Sequence, residues 1–209
     1  VFDLNGNRIK TLGKFPGSGS VLAFDSYNHH LYTLFGGGGP TRGAAFDEEG
    51  NPAKISGTFG DVTEPVAAVF DPFNRRIYVA DFVTNISVYD EQGNGVKFPA
   101  VNMKCGNPPG ALAFDPHNRH FYASATEALG CFYPIITVFD EAGNIVKTTG
   151  TFPNVGANPI AMTFDAHNNR LYVENGPNSV TVYDEEGHQI TTSGTFPNVG
   201  GFGLVAAPQ

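Results

Sequence analysis

Apolar and polar positions along this chain fall into short runs, and the runs recur. Residues 157–200 show one unit clearly. Ile160-Ala-Met-Thr-Phe164 is a run of strand formers, and Asp165-Ala-His-Asn168 is a turn. Asp and Asn suit it because their short side chains bond nearby backbone and tolerate left-handed geometry. Arg170-Leu-Tyr-Val173 predicts a second strand, and Val180-Thr-Val-Tyr183 alternates at period two as a third. Asp184-Glu-Glu-Gly187 predicts a hairpin turn with glycine at the positive-φ position, and Gln189 to Phe196 a fourth strand. Helical periodicity is absent over any window of about 11 residues.

Two phrases interleave along the whole chain. One is VFDEAGNIVKTTGTFPNVG from Val138, matched almost letter for letter by VYDEEGHQITTSGTFPNVG from Val182. Its aspartates are Asp3, Asp47, Asp90, Asp140 and Asp184. The other reads LAFDSYNHHLYTL, AVFDPFNRRIYVA, LAFDPHNRHFYAS and MTFDAHNNRLYVE, with Asp25, Asp71, Asp115 and Asp165 each followed three places on by Asn28, Asn74, Asn118 and Asn168. The chain therefore divides into a half-unit over 1–19, complete units over about 20–63, 64–108, 109–156 and 157–200, and a stub over 201–209.

Four short antiparallel strands recurring at about 44 residues are the signature of a β-propeller blade. The expected fold is all-β, a single propeller domain over 1–209 with four complete blades and a partial terminal blade. A β-sandwich also uses short strands, but it does not require its four-strand phrase to recur. We label the strands of a blade A to D. Aromatics occupy matching slots: Phe24, Phe70, Phe114 and Phe164 in A; Tyr32, Tyr78, Tyr122 and Tyr172 in B; Phe2, Phe46, Tyr89, Phe139 and Tyr183 in C; Phe15, Phe59, Phe152 and Phe196 in D. Large rings fill the space between facing sheets, so core packing is their expected role.

RRIYVADFVTNISVYDEQG (Arg75 to Gly93) and NRLYVENGPNSVTVYDEEG (Asn169 to Gly187) resemble the NHL and YVTN class of propeller repeats. The resemblance covers essentially the whole chain and implies the fold. It leaves function open, because that class includes binding modules, scaffolds and enzymes.

The strand order is C-D, then A-B-C-D four times, then an A-like stub at Gly203-Leu-Val-Ala-Ala207. A terminal blade built from both ends lacks strand B. Three expectations follow: a longer natural chain, part of a six-bladed ring, or a strand supplied by a neighbour through an open edge. A fragment of a five- or six-bladed ring is the favoured one.

Composition narrows the partners. The chain has 12 basic and 20 acidic residues and a net charge of −8. That disfavours nucleic acid and anionic membrane surfaces, which are held mainly by Lys and Arg. Membrane insertion is not expected, since no apolar run approaches the roughly 20 residues of a helical span. The two cysteines, Cys105 and Cys131, fall in loops expected on one face of one blade. A disulfide between them is expected, worth about 3 kcal/mol by chain entropy, and it implies an oxidising compartment, extracellular or periplasmic. Asn85-Ile-Ser87 is a candidate glycosylation sequon.

Catalytic motifs are missing: there is no G-x-S-x-G, P-loop, C-x-x-C or H-E-x-x-H. The histidines His29, His30, His117, His120, His167 and His188 lie in or beside turns, and no metal site is expected from them. A functional residue should break the repeat. On the loop face, where D-to-A and B-to-C loops converge, the departures are Asp61, Glu64, Asp81, Lys104, Asn158, Glu174 and Asn175. These are the candidate ligand-binding residues. The leading expectation is a non-enzymatic extracytoplasmic binding or scaffold module without a cofactor, working through this loop face, which also carries Cys105, Cys131 and the Gly36–Gly39 loop, its ligand a protein, small molecule or glycan. One alternative is a lactonase-type hydrolase or lyase using Ca²⁺ held by oxygen ligands such as Glu64, Asp81, Asn158 and Glu174. The other is a structural unit that self-associates through the incomplete blade.

Overall fold

The computed structural model describes residues 13, 21–36, 42–60, 62–81, 85–101, 103, 109–125, 136–156, 159–175 and 179–193. Among them all regular structure is β, in four antiparallel sheets that meander in chain order. The first contains β1 (Val21–Asp25), β2 (His30–Phe35), β3 (Arg42–Phe46) and β4 (Pro52–Ala53). The second contains β5 (Pro65–Asp71), β6 (Arg76–Asp81), β7 (Asn85–Asp90) and β8 (Gly95–Val96). The third contains β9 (Pro109–Asp115), β10 (His120–Ala125) and β11 (Ile136–Phe139). The fourth contains β12 (Ala161–Asp165), β13 (Arg170–Glu174) and β14 (Val180–Tyr183). Strands A of successive sheets pack side by side, β1 on β5, β5 on β9 and β9 on β12. That arrangement is a set of propeller blades with A innermost.

The expected fourth strand is much shorter than the sequence suggests. It pairs over two residues in the first two sheets. In the others it is reduced to the bridges Phe139 with Ile145 and Tyr183 with Gln189. The chain leaves the sheet edge to hydrogen-bond the following blade instead. Gly57 N–H donates to the Gln92 carbonyl at 2.7 Å, and Phe59 N–H to the Gly93 carbonyl at 3.0 Å. Gly150 and Phe152 do the same to Glu186 and Gly187. Phe59 and Phe152 take positive φ to make this turn, and their rings wedge against Gly93 and Gly187.

Three apolar layers separate the four blades. Ala23, Tyr32 and Leu34 of the first blade pack with Phe70, Ile77 and Tyr89 of the second. Tyr78, Ala80 and Val88 meet Leu112, Phe121 and Phe139. Ala111, Tyr122 and Val138 meet Phe164, Leu171 and Tyr183. Each fully buried large side chain contributes roughly 1.5–3 kcal/mol.

Candidate functional site

The A-to-B turns are built by their aspartates. Asp25 Oδ1 accepts from Tyr27 N–H at 2.8 Å, and Asp71, Asp115 and Asp165 repeat the contact with Phe73, His117 and His167. The left-handed residue is the one after the asparagine: His29, Arg75, Arg119 and Asn169. Sequence placed that geometry on Asp and Asn themselves. Asp and Asn side chains instead organise the turn by accepting backbone N–H groups and leave the strained φ to the next residue. The C-to-D turns follow expectation, with Gly50, Gly93, Gly143 and Gly187 all at positive φ.

Three strand-B tyrosines each tie one blade to the next. Tyr32 hydroxyl donates to the Glu91 carbonyl at 3.0 Å, Tyr78 to Glu141 at 3.4 Å and Tyr122 to Glu185 at 3.1 Å. The matching asparagine donates to the same oxygen, as Asn74 does to Tyr78 at 2.9 Å. Burial pushes the Tyr32 and Tyr78 hydroxyls up to about 12, so they remain proton donors at any physiological pH.

Acidic groups line the same junctions. Asp25, Asp71 and Asp115 are fully buried, and Oδ2 of each has no hydrogen-bond partner. Burial raises all three above the usual carboxylate range, and Glu91, Glu141 and Glu185 of the following blade add to the effect. Asp71 reaches about 6.

At two junctions the glutamate is held by an arginine of its own blade. Arg75 forks onto both oxygens of Glu91, and Arg119 Nε meets Glu141 at 2.5 Å. Those guanidinium groups lie over aromatic rings of the preceding blade, Arg75 over Tyr27 at 4.2 Å and Arg119 over Phe73 at 5.2 Å. Tyr27 and Phe73 are 64% and 55% exposed, so this face presents aromatic-arginine pairs to solvent.

An axial recess of about 500 Å³ opens on this turn face. Its wall is strand A of each blade, with Leu22, Phe24, Phe70, Leu112, Phe114 and Phe164 prominent among the lining side chains. Of the strand-A phenylalanines, Phe70 and Phe164 are buried in the inter-blade layers and Phe114 packs against one, as core packing requires, whereas Phe24 is half exposed.

The loop-face candidates do not share one arrangement. Asp81 Oδ2 accepts from Thr63 N–H at 2.5 Å and from Glu64 N–H at 2.9 Å. Asn175, at the matching position, accepts from Gly156 N–H at 2.8 Å and donates to Thr181 at 2.7 Å. Both cap the entry into strand A. The Glu64 side chain is exposed, and Glu174 is buried with Oε1 unpartnered. Glu64, Asp81 and Glu174 do not form a metal-holding trio among the described residues, where the one such group is Asp115, His117 and Glu185. Asp61, Lys104, Cys105, Cys131 and Asn158 lie outside the described residues, as does the Asn85 side chain.

Similarity to solved structures agrees with the fold. The chain is similar to one in a crystal structure of a nidogen/laminin complex, with 19% identity and a TM-score of 0.63 over 81% of this chain and 62% of that one. That neighbour is a β-propeller, and the described sheets place this chain in the same fold class. The chain thus spans less than two thirds of the neighbour's length. No family model and no curated protein matches it.

Proposed function

We propose that this chain is a non-enzymatic, extracytoplasmic propeller of five or six blades that works as a binding or scaffold module. The observation that carries the reading is the turn face. A recess of about 500 Å³ there, walled by strand A of all four blades, is within the size range of ligand sites. The A-to-B turns that follow its walls carry exposed aromatic-arginine pairs, Tyr27 with Arg75 and Phe73 with Arg119. Aromatics and arginine are the residues that dominate binding hot spots. The polar candidates of the opposite face, Asp81 and Asn175, are engaged in capping loops. The cysteine pair and the sequon at Asn85 support an oxidising, extracytoplasmic location. Binding of a protein domain by a propeller face fits the complex in which the solved neighbour was crystallised.

The test is a quantitative screen of the protein against arrayed extracellular domains and glycans, run beside a lactone and sugar-acid hydrolysis assay with Ca²⁺. The expected result is a saturable binder whose affinity falls at least tenfold with Phe73→Ser, and no turnover. Calcium-dependent turnover that disappears with Glu64→Ala overturns the reading in favour of a metal-dependent hydrolase.

A further inference from the structure

The third blade junction breaks the repeat at two positions that touch the same glutamate site. In the first two junctions a turn aromatic (Tyr27, Phe73) covers an arginine (Arg75, Arg119), and that arginine neutralises the glutamate (Glu91, Glu141). In the third, the aromatic position is His117 and the arginine position is Asn169. Asn169 keeps the left-handed backbone of its counterparts, at φ 56°, but carries no charge. Among the described residues Glu185 forms no ion pair, whereas its equivalents Glu91 and Glu141 each pair with an arginine.

The two changes are complementary. Losing the arginine leaves negative charge, and gaining an imidazole supplies a metal ligand where a ring of pure hydrocarbon or phenol stood. One ligand atom each from Asp115, His117 and Glu185 lie within 4.8 Å of one another. The Asp115 carboxylate forms the fully buried floor, with Oδ2 free of any hydrogen bond. Its Oδ1 stands 3.8 Å from His117 Nδ1, while the His117 side chain is half exposed and so reachable from solvent.

We propose that Asp115, His117 and Glu185 form a binding site for a divalent transition-metal cation of the zinc class, clamping the third blade to the fourth. One imidazole and two carboxylates suit a borderline cation and leave a coordination position for water. The cation takes over the charge balance that Arg75 and Arg119 provide elsewhere. The ligands come from two blades, Asp115 and His117 from one and Glu185 from the next, so binding stabilises the folded state and not the unfolded chain. The proposal is independent of what the recess binds.

The metal-stripped protein is titrated with Zn²⁺ alone by calorimetry, and its melting temperature is followed with and without the ion. The expected result is one strong site and a raised melting temperature. His117→Ala and Glu185→Gln are each expected to weaken it by at least the 10–100-fold that loss of a mere supporting partner costs at metal sites. Both side chains are solvent-accessible, so neither variant should unfold the protein. His188→Ala, which removes an exposed imidazole paired with Asp184, is expected to leave the site intact. Asn169→Arg is expected to abolish binding by rebuilding the guanidinium lock on Glu185. The reverse swap, Phe73→His with Arg119→Asn, is expected to create a second site with Asp71 and Glu141. Absence of the strong site, or a site equally lost with His188→Ala and kept with His117→Ala, overturns the proposal.

Discussion

Asp71 shows how a turn requirement and a junction requirement conflict in one carboxyl. Its Oδ1 must accept the Phe73 N–H at 2.9 Å to fold the turn. The turn lies where the next blade docks, so the group is fully buried beside Glu141. Burial, with the Glu141 carboxylate adding to it, lifts it from 3.8 to about 6. A raised carboxyl means that the folded state holds more protons than the unfolded chain between those values. Stability is therefore expected to fall as pH rises from about 4 to about 6. Above that window the ionised, buried Asp71 is a standing cost. Asp71→Asn keeps an acceptor for the turn and removes the charge. It is expected to be more stable than the parent at pH 7, by on the order of 1–3 kcal/mol, and to lose this part of the pH slope. Urea unfolding at pH 4.5, 5.5 and 7 checks both; a variant less stable at pH 7 with the slope unchanged contradicts the argument. The FDxxN aspartates were legible as turn formers because that role depends only on neighbours in sequence. Their burial against a glutamate some 70 residues away was not legible, since nothing local encodes which turn faces which blade.

Between blades the fold relies on a tyrosine hydroxyl and on a glycine that lets two backbones approach. Tyr122 donates to the Glu185 carbonyl across the junction. Tyr122→Phe is expected to cost about 1 kcal/mol for the hydrogen bond, and Tyr122→Ala about 3–5 kcal/mol because a large cavity opens as well. Gly57 sits where a Cβ would collide with the Gly93 backbone of the next blade. Gly57→Ala is expected to destabilise by about 1–3 kcal/mol, because backbone cannot swing aside as a side chain can. Gly95, with open space around it, is the control: Gly95→Ala is expected to change stability by less than about 0.5 kcal/mol. Thermal and denaturant unfolding of the four variants test the set. Strands A to C were legible because period-two alternation and aromatics mark a half-buried ribbon. Strand D was overestimated for a physical reason. Its Lys-Ile-Ser-Gly-Thr-Phe run from Lys54 has strand-like alternation, yet its backbone partners from Gly57 onward belong to the next blade. Sequence shows that such a segment is extended and cannot show to which sheet it bonds.

At the scale of the whole ring the two outer blades are not equivalent. Leu22 and Phe24 are 57% and 50% exposed, whereas Met162, Phe164 and Phe70 at matching strand-A positions are buried. The first blade thus has an apolar face more exposed than its counterparts on the later blades. Gly13 indicates what belongs beside that blade. Its N–H donates to the Glu49 carbonyl at 2.8 Å, as Gly57 does to Gln92 and Gly150 to Glu186. A Cβ on Gly13 would meet the Gly50 and Asn51 backbone, the same collision found at Gly57. Gly13 therefore stands to the first blade as Gly57 stands to the second and Gly150 to the fourth. On the repeat, Leu4 of Asp3-Leu-Asn-Gly6, in the same half-unit as Gly13, holds the sequence position that Glu185 holds in Asp184-Glu-Glu-Gly187, and Glu185 is the residue whose carbonyl accepts from Tyr122. If this half-unit joins the fourth blade to the first, Gly13→Ala should destabilise as much as Gly57→Ala, and Tyr172→Phe as much as Tyr122→Phe. A Tyr172→Phe variant that costs much less than Tyr122→Phe, beside a Gly13→Ala variant that matches Gly57→Ala, contradicts that placement and favours a larger ring. Measuring the two pairs together by urea unfolding decides between a five-bladed ring closed by this half-unit and a larger one, because each pair reports a different side of the same half-blade.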